Sequence, residues 1–322
     1  MSEPNGRGIR VFAAIVVALF LLRLALGTAT FPVPVANALS LLNTVLFIGL
    51  PVYALLCAAS HGWKLRPAIL LLVVGAVLHA STAVMLGGPM ANAGFLTVLL
   101  AAVGQTGIVL WTLALGVIIA LKLPDKNLMI PIAIFLIGFD MFLVFNPAAP
   151  TARLMREAPR LAHSALATVP RARAEGAPRA SVQDFAYIGP ADLLFSAAFF
   201  ALMFRFGMNA RRTAMWLIPV LVLYLLVILL FGDRHIGPLS LAMLPAMVPI
   251  GLTVLLVNRK EFKLQGQEVA GVFLVAALSI ALALYGVYRA NLARRQAPLP
   301  EPSLQGGVQE APILQGSPSQ AP

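Results

Sequence analysis

Two carboxylates stand apart in this sequence because of what surrounds them. Asp140 lies in Ile137-Gly138-Phe139-Asp140 and Asp192 in Ile188-Gly189-Pro190-Ala191-Asp192, each within a long apolar run, whereas the other ten of the twelve acidic residues fall in loops, tails or span ends. An ionisable group at membrane depth costs about 2.5–3.5 kcal/mol on insertion scales, so it marks a functional site by default. Two carboxylates held close together in low dielectric cannot both ionise cheaply, and they come to hold one proton between them. One can then take a proton from water while the other hydrogen-bonds the carbonyl under attack. That is acid–base hydrolysis of an amide.

The elements that must position them are membrane helices. The chain has 322 residues, 60% hydrophobic and 11% charged, with a mean hydropathy of +0.91. Soluble domains run at about 45–50% apolar and 25% charged, so a soluble fold is excluded, and with it a nucleic-acid partner despite the net charge of +11. The single cysteine, Cys57, excludes a disulfide framework and a CxxC redox pair. With four histidines besides, there is no convincing ligand cluster, and neither a metal nor a cofactor is expected.

At about 20 apolar residues per crossing, the sequence predicts an all-α, polytopic transmembrane helical bundle of about nine spans. The spans fall near 11–29, 36–59, 67–86, 94–121, 128–145, 185–206, 213–231, 238–257 and 269–288. The fourth reads as one tilted or broken helix around Gly104-Gln105-Thr106-Gly107.

Depth brings the candidate residues together. Asp140 lies five residues, or roughly 8 Å, from the end of the fifth span at Phe145. Asp192 lies seven residues, or roughly 10 Å, into a sixth span that starts near Phe185 on the same surface. The eighth span leaves that surface near Pro238 and reaches Pro245-Ala246-Met247-Val248-Pro249 at a similar depth. Its prolines free backbone groups that a helix would use internally. An exposed edge of that kind could hold an unwound substrate in extended form. Asp140 alone reads equally well as a structural hydrogen-bonding group. The pair with the proline segment favours chemistry over structure.

Over residues 128–258 this pattern resembles the presenilin and signal peptide peptidase family of intramembrane aspartyl proteases. The residues that carry the likeness are Phe139-Asp140, Asn146-Pro147 through Arg153-Leu154-Met155, Gly189-Pro190-Ala191-Asp192 with Leu193-Leu194-Phe195, and Pro245-Ala246-Met247. The resemblance implies that Asp140 and Asp192 are the catalytic pair of an endopeptidase acting on transmembrane-helix protein substrates. It implies too that Gly189, Pro190, Ala191, Pro245, Ala246 and Met247 shape the site and contact substrate. It points to a multi-pass protein of a prokaryotic cytoplasmic membrane. Phe139 replaces the family's tyrosine, Met247 its leucine, and Ala191 the glycine before the second aspartate. Alanine there restricts backbone freedom, so a catalytically degenerate helix-binding relative is the first alternative. A proton-coupled transporter using the aspartates as a relay is the second.

The sequence divides into a four-span region over 1–127, a catalytic core over 128–258 with an Arg-rich loop over 146–184, a further span within 259–295, and a tail over 296–322 expected to be disordered. In the loop, Leu154, Ala158, Leu161 and Ala165 share a face at helical spacing, which predicts an interfacial helix against anionic lipid headgroups. Arg7 and Arg10 precede an uncleaved first helix rather than a signal peptide. Arg23 and Arg205 are expected to snorkel toward headgroups. Asn43, His79 and Gln105 are read as interhelical hydrogen-bonding groups. The positive-inside rule leaves orientation open, because the basic connections at Lys64/Arg66, Lys122/Lys126, Arg211/Arg212 and Arg259/Lys260/Lys263 oppose the Arg-rich loop and the stretch Arg289–Arg295.

Overall fold

A computed structural model describes residues 6–87, 94–150, 153, 157, 164–176, 184–231, 235–236, 239–240 and 245–296. Among them run nine α-helices: α1 (Gly6–Thr28), α2 (Val33–Ala59), α3 (Leu65–Gly87), α4 (Phe95–Lys122), α5 (Met129–Phe145), α6 (Pro190–Arg205), α7 (Ala210–Phe231), α8 (Met247–Asn258) and α9 (Gly266–Gln296). The expected all-α bundle is therefore present, and seven helices are long and apolar enough to cross a membrane. The exceptions are α6 and α8, of 16 and 12 residues. At 1.5 Å per residue they reach only roughly 24 and 18 Å. The tail beyond Gln296 and the interfacial helix expected at Leu154, Ala158 and Leu161 lie outside the described residues.

One short helix begins at a proline and the other two residues after one, and both correct the span boundaries read from hydropathy. The expected sixth span, 185–206, is two elements. Residues Asp184–Ile188 form a strand, and the helix starts only at Pro190. Proline disfavours the α conformation in the residue before it, and Gly189 accordingly sits at φ −63°, ψ 134°. Pro190 at the first helical position lacks only an N–H that has no helical acceptor anyway. The expected eighth span, 238–257, becomes a helix only from Met247, with Pro249 tolerated in its first turn. By contrast, the fourth run is one unbroken 28-residue helix. Its glycines serve close packing: a methyl group at Gly107 would stand 2.7 Å from the His79 nitrogen and 2.8 Å from the Gly75 carbonyl of α3.

The short helices survive because they are enclosed. Ten residues of α6 are buried, among them Phe199, Phe200, Leu202 and Met203. They share one core with Phe12 of α1, Leu55 of α2, Leu113 of α4, Leu136 of α5, Leu217 of α7 and Ile250 of α8. Non-helical backbone at membrane depth is tolerated only where protein buries it or a cavity receives it. The strands are β1 (Thr30–Phe31), β2 (Ala167–Pro170), β3 (Arg173–Ala174), β4 (Asp184–Ile188), β5 (His235–Ile236) and β6 (Leu239–Ser240). Strand β2 obeys that rule: it is buried along its whole length and pairs antiparallel with β4, Thr168 facing Tyr187. Strand β1 pairs parallel with β3.

The two ends of the bundle differ. One carries the strands β1 to β4. At the other, Asn127 bonds the Lys263 carbonyl and Glu268, and Asn209 bonds Glu261. Arg205 caps the C-terminal carbonyls of Ala120 and Leu123 there. Its role is to close the end of α4, where snorkelling was expected.

Replacing Gly107 with leucine is expected to lower stability by about 1–3 kcal/mol, the usual effect of overpacking. Unfolding of the detergent-solubilised chain checks this, with exposed Gly87→Leu on α3 as a neutral control.

Candidate active site

Asp140 is presented by α5 one turn and a half before its end. That helix stops at Asn146, whose ψ of 110° precedes Pro147 and whose side chain accepts from the Ala148 N–H at 3.0 Å. The half-buried Asp140 carboxylate accepts a hydrogen bond from the backbone N–H of Met247, Oδ2 to N 2.9 Å. Met247 is the first residue of α8, where backbone N–H groups have no helical acceptor. One residue upstream of the turn, the Pro245 carbonyl accepts from the Tyr224 hydroxyl of α7 at 2.7 Å. The Met247 N–H and the Pro245 carbonyl are thus occupied within the chain, by Asp140 and Tyr224, while the stretch 241–244 of the expected open edge lies outside the described residues.

Asp192 sits in the first turn of α6 and not in mid-helix. Its carboxylate folds back to accept from the backbone of Gly189, the residue that precedes the helix. This is the acidic half of a capping box, and the positive end of the helix dipole favours a carboxylate there. The fold brings the two carboxyl groups within electrostatic reach of each other, and Tyr224 within reach of both. One phenol and two carboxyls from three helices therefore share a single locus. No three His, Cys, Asp or Glu side chains converge on a metal-binding geometry among the described residues.

The remaining motif residues fall into different roles. A methyl group on Gly189 would stand 3.0 Å from Asp192 Oδ2, so a side chain there would press on that carboxylate. Pro190 starts the helix. Ala191 is exposed in its first turn with ordinary helical geometry, and no non-glycine residue among those described has a positive φ. Alanine is accommodated at this position in ordinary helical backbone. Ala246 is the last residue before α8, at φ −74°, ψ −22°. Phe139 faces outward and stacks with Phe135 and Phe142, and Phe142 stacks on Tyr285 of α9 at 6.1 Å.

A second polar network lies behind the pair. Arg23 of α1 is only 4% exposed. Its guanidinium donates to the Thr168 hydroxyl at 2.8 Å and to the Thr168 carbonyl, and lies 5.1 Å above the Phe47 ring. Gln105 of α4 completes the grip, accepting from the Thr168 N–H at 2.9 Å and donating to the Leu166 carbonyl at 3.0 Å. Ser40 of α2 accepts from the Ala172 N–H at 3.1 Å. The expectation that Arg23 snorkels is overturned: it is a buried clamp on β2. Since β2 registers β4, and β4 runs directly into Gly189, the clamp sets where α6 begins.

The last helix bears on the site from outside. A methyl group on Gly138 would stand 2.5–2.6 Å from Ser279 of α9, and one on Gly286 would stand 3.0 Å from the Phe142 Cα. Two glycines therefore let α9 lie flat against the turn that carries Asp140. Tyr224, Arg23 and Gln105 are the residues that sequence reading did not place in the site. Each is an isolated polar group in an apolar span, with no spacing to a partner that would flag it.

No family model, curated protein or solved structure matches this chain.

Arg23→Met is expected to lower stability by roughly 2–4 kcal/mol, because the Thr168 groups lose two charge-assisted bonds while staying buried. Arg23→Lys recovers only part, since an ammonium lacks the planar fork. Unfolding in detergent measures the loss, and faster hydrogen exchange confined first to β2 and β4 locates it.

Proposed function

We propose that this chain is a multi-pass integral membrane protein that hydrolyses peptide bonds within transmembrane helices, using Asp140 and Asp192 as an acid–base pair. The observation that supports this best is the convergence of two carboxyls from neighbouring helices, in electrostatic reach of each other, beside a helix start that supplies a backbone donor to one of them. The resemblance of residues 128–258 to presenilin and signal peptide peptidase supports the same reading, and with it a prokaryotic cytoplasmic membrane and transmembrane-helix substrates.

The chemistry follows from a pair that shares one proton. The ionised carboxylate takes a proton from a water molecule, whose oxygen attacks the amide carbon. The protonated partner gives its proton to the carbonyl oxygen, forming a neutral tetrahedral gem-diol. Collapse returns the proton from one hydroxyl to a carboxylate while the other carboxyl protonates the leaving nitrogen, and the C–N bond breaks to an acid and an amine. The backbone N–H of Met247 holds Asp140 in position throughout, and the Gly189 backbone does the same for Asp192. Tyr224 is a positioning residue, because its hydroxyl fixes the Pro245 carbonyl and through it the start of α8.

The alternative of a degenerate relative rested on Ala191. Ala191 lies in ordinary helical backbone, and cleavage or its lack in the unaltered chain separates that alternative from the proposal. A proton relay would require carboxyls exposed to both faces, and no observation favours it.

Co-expression with single-span substrates tests the proposal. Asp140→Asn and Asp192→Asn are each expected to abolish cleavage products while leaving stability within about 1 kcal/mol, because each amide oxygen can still accept its backbone bond. Products that persist in either variant overturn the pair. A second comparison tests the glycines: Ala191→Gly is expected to keep products and to change stability by at most about 1 kcal/mol, whereas Gly189→Val, which displaces the Asp192 carboxylate, is expected to lose them.

A further inference from the structure

At the end of the bundle away from β1 to β4, an open-sided cleft of about 520 Å3 runs between α1, α2 and α7. That is the size of a small-molecule site, for which about 300–1,000 Å3 is usual. Its mouth carries Arg7 and Arg211, each the second residue of its helix, and both lie within electrostatic reach of the Tyr53 hydroxyl. Its walls below are apolar, formed by Val11, Leu56 and Ile218.

Among the described residues, no acidic group compensates the positive charge at this mouth. Neither α1 nor α7 has an acidic residue in its first turn, and no acidic residue lines the cleft. Among the described residues neither guanidinium has a hydrogen-bond or ion-pair partner. Cations at helix N-termini also oppose the helix dipole. Two such cations converging over one cleft are therefore electrostatically unfavourable until an anion joins them. The level matters as much as the sign, because helix ends of this length lie where lipid headgroups lie.

We propose that this cleft binds one anionic phospholipid, its phosphate between Arg7 and Arg211 with Tyr53 donating to it, and an acyl chain along Val11, Leu56 and Ile218. The apolar walls and the intramembrane position select a lipid over a free phosphate. Basic pockets between membrane helices hold such headgroups by the same physics. The site is independent of the aspartate pair and rests only on the chain's being integral to a membrane.

The test begins with an alkaline wash of membranes, in which the full chain is expected to stay in the membrane fraction; release overturns the membrane reading and the site together. The full chain, purified in detergent and stripped of lipid, is then mixed with dioleoyl phosphatidylglycerol or dioleoyl phosphatidylcholine, and bound lipid is counted by native mass spectrometry. Phosphatidylglycerol is expected to be retained in preference to phosphatidylcholine, and millimolar inorganic phosphate is expected not to displace it. Affinity is expected to fall on the order of tenfold or more in Arg7→Gln/Arg211→Gln, to persist in Arg7→Lys/Arg211→Lys, and to be unchanged in Arg259→Gln/Lys260→Gln at the same end. Ile218→Trp, which keeps both cations and fills the apolar wall, is expected to weaken binding as well, and an unchanged melting transition shows that each variant is folded. Equal retention of the two lipids, displacement by phosphate, or wild-type retention by the double Gln variant overturns the site.

Discussion

Two helices of this protein start inside the bundle, and the backbone N–H groups at a helix start must find acceptors where water is scarce. That constraint organises the region around Asp140 and Asp192. Asp140 receives the N–H of Met247 at the start of α8, and Asp192 receives the backbone of Gly189 at the start of α6. Each carboxylate thus completes the end of a helix, and each helix end gives its carboxylate a fixed direction. The prolines that stop the helices from running further make both relationships necessary. The bonds that fix the two carboxylates and the bonds that end the two helices are here the same set.

Around that centre, polar groups are spent on placing backbone. Arg23 and Gln105 grip β2 from α1 and α4, β2 sets the register of β4, and β4 ends at Gly189. Helices of the N-terminal region therefore govern a residue 84 to 166 positions later in the chain, counted from Gln105 and from Arg23. On the opposite side, Gly138 and Gly286 bring α9 against α5 by removing side chains from the contact. Placement by hydrogen bonds on one face and by close packing on the other leaves little freedom to the turn bearing Asp140.

Much of this was legible in the sequence, and the losses have physical reasons. The poverty of charge singled out Asp140 and Asp192, and the spacing of Pro245 and Pro249 drew attention to the start of α8. Hydropathy could not separate Asp184–Ile188 from the helix after it, because apolar strand and apolar helix read alike; Pro190 was the mark that would have divided them. Arg23 was misread because its partner Thr168 is 145 residues away and a lone arginine near a span end has a cheaper explanation. Tyr224 carried no signal, as one phenol in an apolar run has nothing beside it to form a pattern. Gly189, rather than Ala191, is the position where an added side chain would crowd the Asp192 carboxylate.

The sequence separations carry a consequence for biosynthesis. Asp192 meets its backbone partner within three residues, so it is satisfied as soon as its own helix turn forms. Asp140 must wait for Met247, 107 residues further along. At synthesis rates of about 5–20 residues per second, that is roughly 5 to 20 s during which α5 exists without its acceptor's donor. The first aspartate therefore enters the membrane as a group best kept neutral, and the pair comes into being only when α8, a helix too short to cross by itself, folds in among its neighbours. The order of the chain delays the meeting of the two aspartates until their surroundings are complete.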